Sequence, residues 1–169
     1  MSKIYHYFVE GKCEEKLINC LKDYKINIIK PGKVEVFNFI NEVISKNRLM
    51  VLNKSTYIVL VYDVDVNKTA TLEKNLQLLK ECGFKNIYHI QSIRNLEEEI
   101  VYSTDLKNIN EMFKTKTIEE FKTKFIKHDN LYSKLISIAF NKDKLWSRVN
   151  NIEPFNKFYK MQDIKQIKK

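Results

Sequence analysis

Glycine, proline, cysteine and arginine are all scarce in this chain of 169 residues, with three, two, three and three of each. So little glycine and proline argues against long flexible linkers. Cys13, Cys20 and Cys82 lack metal-type spacing, which predicts reduced structural thiols in a cytoplasmic protein. No apolar run reaches the roughly 18 residues of a membrane span, and the N-terminus has no secretory-signal pattern, so we expect neither feature.

The charge of the chain is basic and unevenly distributed. The net charge is +9, of which residues 1–100 carry +2 and residues 101–169 carry +7. An electropositive second part predicts a polyanionic partner, nucleic acid above all. Because 27 of the 30 basic residues are lysine, sequence-specific recognition of DNA bases by arginine is disfavoured. A lysine- and asparagine-rich composition typical of an AT-rich genome is an alternative explanation.

Hydrophobic patterning alternates between strand and helix over the first two-thirds of the chain. The apolar run at residues 57–62 is typical of a central parallel strand. The order β-α-β-α-β-α-β-α predicts an α/β fold, Rossmann-like, with a parallel four-stranded sheet flanked by helices. We predict strands at residues 4–9, 26–29, 57–62 and 86–91, and helices at 12–22, 33–46, 67–82 and 95–102.

The remainder of the chain has helical patterns only. We therefore predict an α/β domain at residues 1–104 and a basic, helical C-terminal extension at residues 105–169 that packs on it. Thr117 and Glu120 form a capping box, and Asp129 is a candidate cap for a further helix. Near the end, four aromatic residues lie among lysines: Trp146, Phe155, Phe158 and Tyr159. Packing of these rings onto the domain is favoured over stacking on a single strand of nucleic acid.

Acidic residues follow two of the predicted strands. Glu10 follows the first strand, and Asp63 and Asp65 follow the third. Ligand sites in open parallel sheets lie beyond the carboxyl ends of the strands. Three converging carboxylates repel one another unless a cation neutralises them, and Mg²⁺ prefers such oxygen ligands. The alternative is that each acid merely caps the helix that follows it.

These motifs resemble the TOPRIM family. Residues 8–15, FVEGKCEE, followed by residues 61–65, VYDVD, are similar to its strand ending in Glu-Gly and its later strand ending in Asp-x-Asp. The resemblance covers about residues 3–104. It implies that Glu10 is a general acid/base or metal ligand, that Asp63 and Asp65 bind metal, and that Gly11 permits a tight turn. Residues 66–69, VNKT, lack the glycine that many relatives have there.

Within TOPRIM proteins the chain is closest in style to the RloB-like and OLD-like nucleases. In these branches extra acids support a second metal, and here Glu14, Glu97 and Glu98 are the candidates. Two alternatives stay open: Glu14 as a solvated helix residue, and Glu98 in a capping box with Asn95. The candidate substrate-binding residues beside the site are Gly11, Lys12, Lys68 and Arg94. We interpret His6, His89 and His128 as structural.

The expected function is therefore a Mg²⁺-dependent nuclease that hydrolyses phosphodiester bonds in DNA or RNA, with Mn²⁺ as a substitute metal. A phage-defence role is implied by the resemblance alone. The alternative is a non-catalytic module that binds nucleic acid or acts as the partner of an ATPase or other regulatory protein. Because the chain has no Walker loop, any such ATPase would be a separate protein. Asp-x-Asp phosphatases and sugar-nucleotide transferases fit less well, because their motifs differ in strand position or do not require the Glu-Gly.

Overall fold

A parallel four-stranded sheet forms the centre of the protein. The computed structural model describes residues 3–169. The strands are β1 (Tyr5–Val9), β2 (Gly32–Val36), β3 (Tyr57–Asp63) and β4 (Ile87–Ser92), in the order β2-β1-β3-β4. All three neighbouring pairs are parallel. The predicted α/β fold with a parallel four-stranded sheet is confirmed.

Helices follow each strand, as the alternating pattern predicts. They are α1 (Lys12–Leu21), α2 (Lys46–Met50), α3 (Ala70–Glu81) and α4 (Leu96–Tyr102). The C-terminal part adds α5 (Ile118–Lys127), α6 (Leu131–Ser137), α7 (Met161–Ile167) and the 3₁₀ helices Ile109–Met112 and Phe155–Phe158. Within residues 3–169, no helix combines the length and apolarity needed to cross a membrane.

The two faces of the sheet pack into two hydrophobic clusters. Val59 and Val61 of β3 face a cluster to which α1, α4, α5, α6 and α7 contribute, here called the α1 face. Leu60 and Tyr62 point the opposite way, into a cluster with α2 and α3, here called the α3 face. This alternation follows from the two-residue period of a strand. Because Phe121 of α5 is buried in the α1-face cluster, the C-terminal part shares that core with the sheet; a domain boundary near residue 104 stays a prediction.

The segment from residue 26 to residue 46 differs from the prediction. The predicted strand at 26–29 and helix at 33–46 are both wrong, because β2 is Gly32–Val36 and a loop follows it. Gly32 is required there, since a Cβ would lie 2.5 Å from the Tyr5 carbonyl oxygen. Residues 28–30 instead pair with the chain end: the Lys30 N–H donates to the Ile167 carbonyl at 2.9 Å.

Asn75 of α3 explains why the loop after β2 needs no helix. Its side-chain oxygen accepts from the Ile44 N–H at 2.8 Å, and its amide donates to the carbonyls of Phe39 and Glu42 at 2.9 and 2.7 Å. Asn75 is fully buried. A distant side chain therefore satisfies the buried backbone groups of the loop, which is what a helix would otherwise do.

The C-terminal part bears out most of its local predictions. Thr117 caps α5 by accepting from the Glu120 N–H at 3.2 Å, whereas α6 is capped by Asn130 and not by Asp129. Trp146 is 2% exposed and Phe155 is 0% exposed, so the prediction that these rings pack onto the domain is confirmed. These contacts fasten the extension to the α/β core.

The extension also covers the outer edge of β4. The Asp163 carboxylate accepts from the His89 N–H at 2.9 Å, in place of a further strand. Buried His89 and Gln91 then contact the extension through Phe158 and Phe155. An edge strand with unpaired N–H groups invites pairing with other chains, and α7 removes that opportunity here.

Candidate functional site

Asp63 is the last residue of β3 and lies on the α1 face, opposite Ser92 of β4. Its Oδ1 is buried and forms no hydrogen bond within residues 3–169; the Ser92 hydroxyl, which is also unpartnered, lies near enough to Asp63 to oppose the rise of its pKa but not in hydrogen-bond geometry. Burial, followed by the charges of Glu14, Glu10 and Glu97, raises the pKa of Asp63 from 3.8 to about 8. A carboxylate in such surroundings is costly to ionise unless a cation accompanies it.

Glu14 lies in the first turn of α1 and is only 8% exposed. Its interpretation as a solvated helix residue is therefore wrong. Burial raises the pKa of Glu14, and the charges of Glu10 and Glu97 raise that pKa further. Glu14 is thus one of the acids grouped around Asp63.

Gly11 makes room for the Glu14 carboxylate. A Cβ at Gly11 would lie 3.0 Å from Oε2 of Glu14. The backbone of Gly11 is extended, with φ −152° and ψ −171°, a conformation open to any residue. The chain turns from β1 into α1 within the two residues Glu10 and Gly11, but this turn does not use a backbone conformation that favours glycine, so the residue matters here for space.

Glu10 occupies a different position from Asp63. Alternation along β1 puts it on the α3 face with Phe8, and its Oε1 accepts from the Asn38 side-chain amide at 2.9 Å. Its Oε2 accepts from the backbone N–H of Asp63 at 3.0 Å. Glu10 therefore joins the ends of β1 and β3, with both carboxylate oxygens engaged by the protein.

The acidic segment of α4 divides into three different environments. Glu97 is 9% exposed and pairs with Lys122 of α5, with 3.2 Å between Nζ and Oε1. Glu98 is exposed, and its N–H donates to the Asn95 side chain at 2.9 Å, so Asn95 is the predicted N-cap. Glu99 is fully buried. Only Glu97 joins the acids grouped around Asp63.

Glu99 is held by contacts that the sequence did not predict. Arg148 Nη2 donates to Glu99 Oε1 at 2.6 Å, and the N–H groups of Trp146 and Ile93 donate at 3.1 and 2.9 Å. Every donor in this set except Ile93 comes from more than 40 residues away, so no local pattern indicates it. Glu99 is a structural ion-pair residue that fixes the extension to the start of α4.

A pocket of about 410 Å³ opens between the carboxyl edge of the sheet and the extension. Asp63, Asp65, Glu97 and Glu98 form its acidic side, and Lys107 and Lys122 face them from the extension. Its lining is completed by Asn95, Val101, Asn108, Ile109, Asn110 and Ile118. Asp65 is exposed and also borders a neighbouring hollow of about 490 Å³ that includes Lys68. Carboxylates thus face lysines across a space of the size that binds small ligands.

The predicted phosphate-binding residues are only partly at this pocket. Lys12 is exposed and pairs with Glu15 at 2.8 Å, and exposed Arg94 has a left-handed backbone with φ 69°. Neither lines the pocket, whereas Lys107 and Lys122 do. The sequence offered only weak evidence that Lys122 would line the pocket: the residue lies four positions after Ile118, at the edge of the apolar face of α5.

The carboxylates grouped around Asp63 are of the type that binds a hard divalent cation, but in this structure they do not surround one position. Within the part of the chain that the structure describes, no three His, Cys, Asp or Glu side chains converge on a position suited to a metal ion. The grouped donors are nevertheless carboxylate oxygens, the ligand type of Mg²⁺. Asp63 Oδ1 is the buried, unpartnered oxygen that a cation would satisfy. Side chains must therefore move before Asp63 and its neighbours can coordinate a metal ion together.

One curated protein resembles this chain over most of its length. It is named "Probable AP endonuclease", from African swine fever virus (isolate Tick/Malawi/Lil 20-1/1983), and is 28% identical over 149 residues. The match covers 78% of this chain and 48% of the relative, so the chain spans about half the length of the protein it matches. No protein-family model matches the chain, and no solved structure matches it. The match is too distant to place the chain in a family.

Proposed function

We propose that this protein is a TOPRIM-like, Mg²⁺-dependent nuclease that hydrolyses phosphodiester bonds of DNA or RNA. The observation that carries the proposal is the Asp63 carboxylate, which ends the central strand with a buried, unpartnered oxygen among Glu14, Glu10 and Glu97. Similarity to a protein named as a probable AP endonuclease supports nuclease chemistry, though not a particular substrate.

The metal would be held by Asp63 together with Glu14 and Glu97, which lie on the same face of the sheet. Asp65 and Glu98 are available from the rim of the pocket, and Mn²⁺ suits the same oxygen ligands. Mg²⁺ bound there supplies a Lewis acid that activates water and neutralises charge on a phosphate. Glu10 fixes the position of Asp63 through the 3.0 Å hydrogen bond to its N–H.

The lysines of the pocket complement this acidic side. Lys107 and Lys122 face the carboxylates, and Lys122 at present neutralises Glu97. Glu97 would be one of the residues that hold a metal ion, and Lys122, its present partner, would then be available to contact a phosphate oxygen. A positive group beside the developing negative charge of phosphoryl transfer stabilises the transition state. The extension thus supplies the substrate side of the site, and the sheet supplies the metal side.

Cleavage by pure protein tests the proposal. Supercoiled plasmid, single-stranded DNA, RNA and a duplex with one abasic site are incubated with Mg²⁺, with Mn²⁺ or with EDTA. We expect metal-dependent cleavage that is lost in D63N and in E14Q, and retained in E119Q, which changes an exposed acid on α5. Cleavage that survives both site variants would refute the assignment of the site.

A second candidate is the non-catalytic module, in which the chain binds nucleic acid or assists a separate ATPase. The absence of a converged ligand set within residues 3–169 favours it. Calorimetry separates the two: a nuclease site binds Mg²⁺ or Mn²⁺ in a manner that requires Asp63, whereas a degenerate site does not.

The phage-defence role stays a prediction from resemblance, to be tested by plating phage on cells that express wild type or D63N.

A further inference from the structure

A second pocket, separate from the acidic one, lies beside β4 on the α3 face. It has a volume of about 570 Å³, and four lysines line it together with His89 and Phe158: Lys80, Lys85, Lys157 and Lys160. We call it the lysine pocket. No acidic residue lines it. Beside β4 it brings together two parts of the chain, the end of α3 with the turn after it, and the second 3₁₀ helix with the residues that lead to α7.

The four lysines give the pocket an excess of positive charge. All four are exposed, and within the described chain only Lys157 has a carboxylate partner, Glu73. Burial raises the pKa of Asp163, and Lys160 is close enough to that carboxylate for its charge to oppose the rise. The Lys80 and Lys85 ammonium groups therefore remain without a counter-charge in the described chain. Like charges gathered in a cleft raise the local concentration of anions.

His89 adds a fixed donor to the lysine pocket. The Gln91 side-chain amide donates to the Tyr62 hydroxyl at 2.8 Å, and Gln91 is oriented by its bonds to the Phe155 carbonyl and to Asn150. We assign the Tyr62 hydroxyl as donor to Nδ1 of His89, 3.0 Å away, because with the opposite direction the Tyr62 proton would have no acceptor within residues 3–169. In a neutral imidazole the proton is then on Nε2.

The Nε2–H of His89 has no acceptor within hydrogen-bond distance among residues 3–169, although the side chain is only 9% exposed. The two ring nitrogens point away from each other, so Nε2 is directed away from Tyr62. Burial, and then the charges of Lys160 and Lys80, lower the pKa of His89 to about 4, which keeps the ring neutral at physiological pH. Because Nε2 of His89 is not a fully buried atom, its N–H is open to the pocket and can donate to a bound anion beside the lysines.

Two phenylalanine rings line the lysine pocket, and neither is free for base stacking: Phe84 is 2% exposed with Lys54 Nζ 4.8 Å from its ring centroid, and Phe158 is also covered. His89 stacks on Phe158 with centroids 5.8 Å apart, and Lys157 Nζ lies 5.1 Å from the same ring centroid. A nucleobase would have to displace one of them. Recognition therefore depends on the charged group of a ligand and not on the identity of a base, as in contacts to a nucleic-acid backbone.

We propose that the lysine pocket binds the phosphate groups of a nucleic-acid strand, without base preference. The ligand chemistry is a phosphate held by the Lys80, Lys85 and Lys160 ammonium groups and by His89 Nε2–H. Because His89 and Asp63 lie on opposite faces of the sheet, this site is distinct from the acidic pocket. The proposal does not depend on the proposed nuclease activity.

Binding of fluorescent single-stranded oligonucleotides of mixed and of uniform sequence, in EDTA, tests the proposal with cleavage prevented. K85Q/K160Q removes two pocket lysines, and K74Q/K127Q removes two exposed lysines elsewhere, with the same change in net charge. We expect K85Q/K160Q to weaken binding by about tenfold or more and to reduce the slope of log K against log salt by about two. The control pair should change binding by less than about threefold.

Adenosine monophosphate and inorganic phosphate distinguish a strand from a free phosphate compound as the ligand. Strand binding alone, or much tighter strand binding, supports the proposal, whereas equal affinity for adenosine monophosphate or for inorganic phosphate would overturn the assignment of a strand as the ligand. Long-range ¹H–¹⁵N spectra give a readout independent of charge, in which the His89 Nε2–H signal is present and shifts with oligonucleotide. Equal weakening by both lysine pairs, a preference for one base, or protonation of His89 at Nδ1 would overturn the proposal.

Discussion

Replacement of Asp63 by asparagine should stabilise the metal-free protein. The side chain keeps its shape but no longer has to take up a proton on folding to avoid a charge that burial and Glu14, Glu10 and Glu97 oppose. The substitution also leaves intact the Asp63 N–H that donates to Glu10, because that group belongs to the backbone. The stability change therefore reports the cost of the charge alone.

The magnitude follows from the raised pKa of Asp63, about 8 in the folded protein against 3.8 when unperturbed. Between these values the folded state binds a proton that the unfolded state has lost, so the free energy of unfolding falls as pH rises. The fall is about 1.4 kcal/mol per pH unit between pH 4 and pH 8. At pH 7 we expect D63N to be more stable than wild type by about 2–4 kcal/mol, with the lower figure allowing for partial solvent access.

Urea unfolding in EDTA at half-unit steps from pH 4 to pH 9 measures this difference. The difference in free energy of unfolding between D63N and wild type should be near zero at pH 4, increase with pH, and become constant above pH 8. D105N, which removes an exposed carboxylate, should follow the wild type. With Mg²⁺ in excess the order should reverse, because a ligand that binds only the folded wild type stabilises it. A D63N protein that is less stable than wild type in EDTA at pH 7 would refute the reasoning.

Three further substitutions test the surroundings of the site. R148A should lower the free energy of unfolding by about 3–5 kcal/mol in urea denaturation, because it leaves the buried Glu99 carboxylate without its ion pair. N75A should lower it by about 2–4 kcal/mol in the same assay, because three backbone groups of the loop after β2 lose their partner. K122Q should weaken binding of single-stranded DNA about tenfold while lowering stability by at most about 1 kcal/mol, because the ion pair with Glu97 is partly exposed.

Each of these substitutions has a matched control. R94A and N67A change exposed residues of the same types and should alter stability by less than about 0.5 kcal/mol. K127Q removes a lysine of the same helix as Lys122, and its effect on DNA binding should be small. Equal effects of R148A and R94A would contradict the buried ion pair, and equal effects of K122Q and K127Q would contradict the role given to the pocket.

The sequence by itself determined the elements whose signals are local. The apolar runs of β1 and β3 bury side chains on both faces, and no partner from elsewhere is needed to recognise them. Asn95 and Thr117 cap helices by binding groups three residues away, so these helix starts were also predictable. The grouping of acids near one edge of the sheet followed from the rule that parallel strands share their carboxyl ends.

Tertiary structure decided what depends on contacts distant in sequence. The loop after β2 is stabilised by Asn75, more than 30 residues away, so its helix-like spacing of apolar residues was misleading. Strand alternation and the packing of α1 place two acids differently from the prediction. Glu14 is buried beside Asp63, and Glu10 accepts from the backbone N–H of Asp63 across the sheet edge. Lys122 and Arg148 meet their carboxylates only when the extension folds back. Periodicity describes which face a residue occupies, but only the packed chain determines what lies opposite that face.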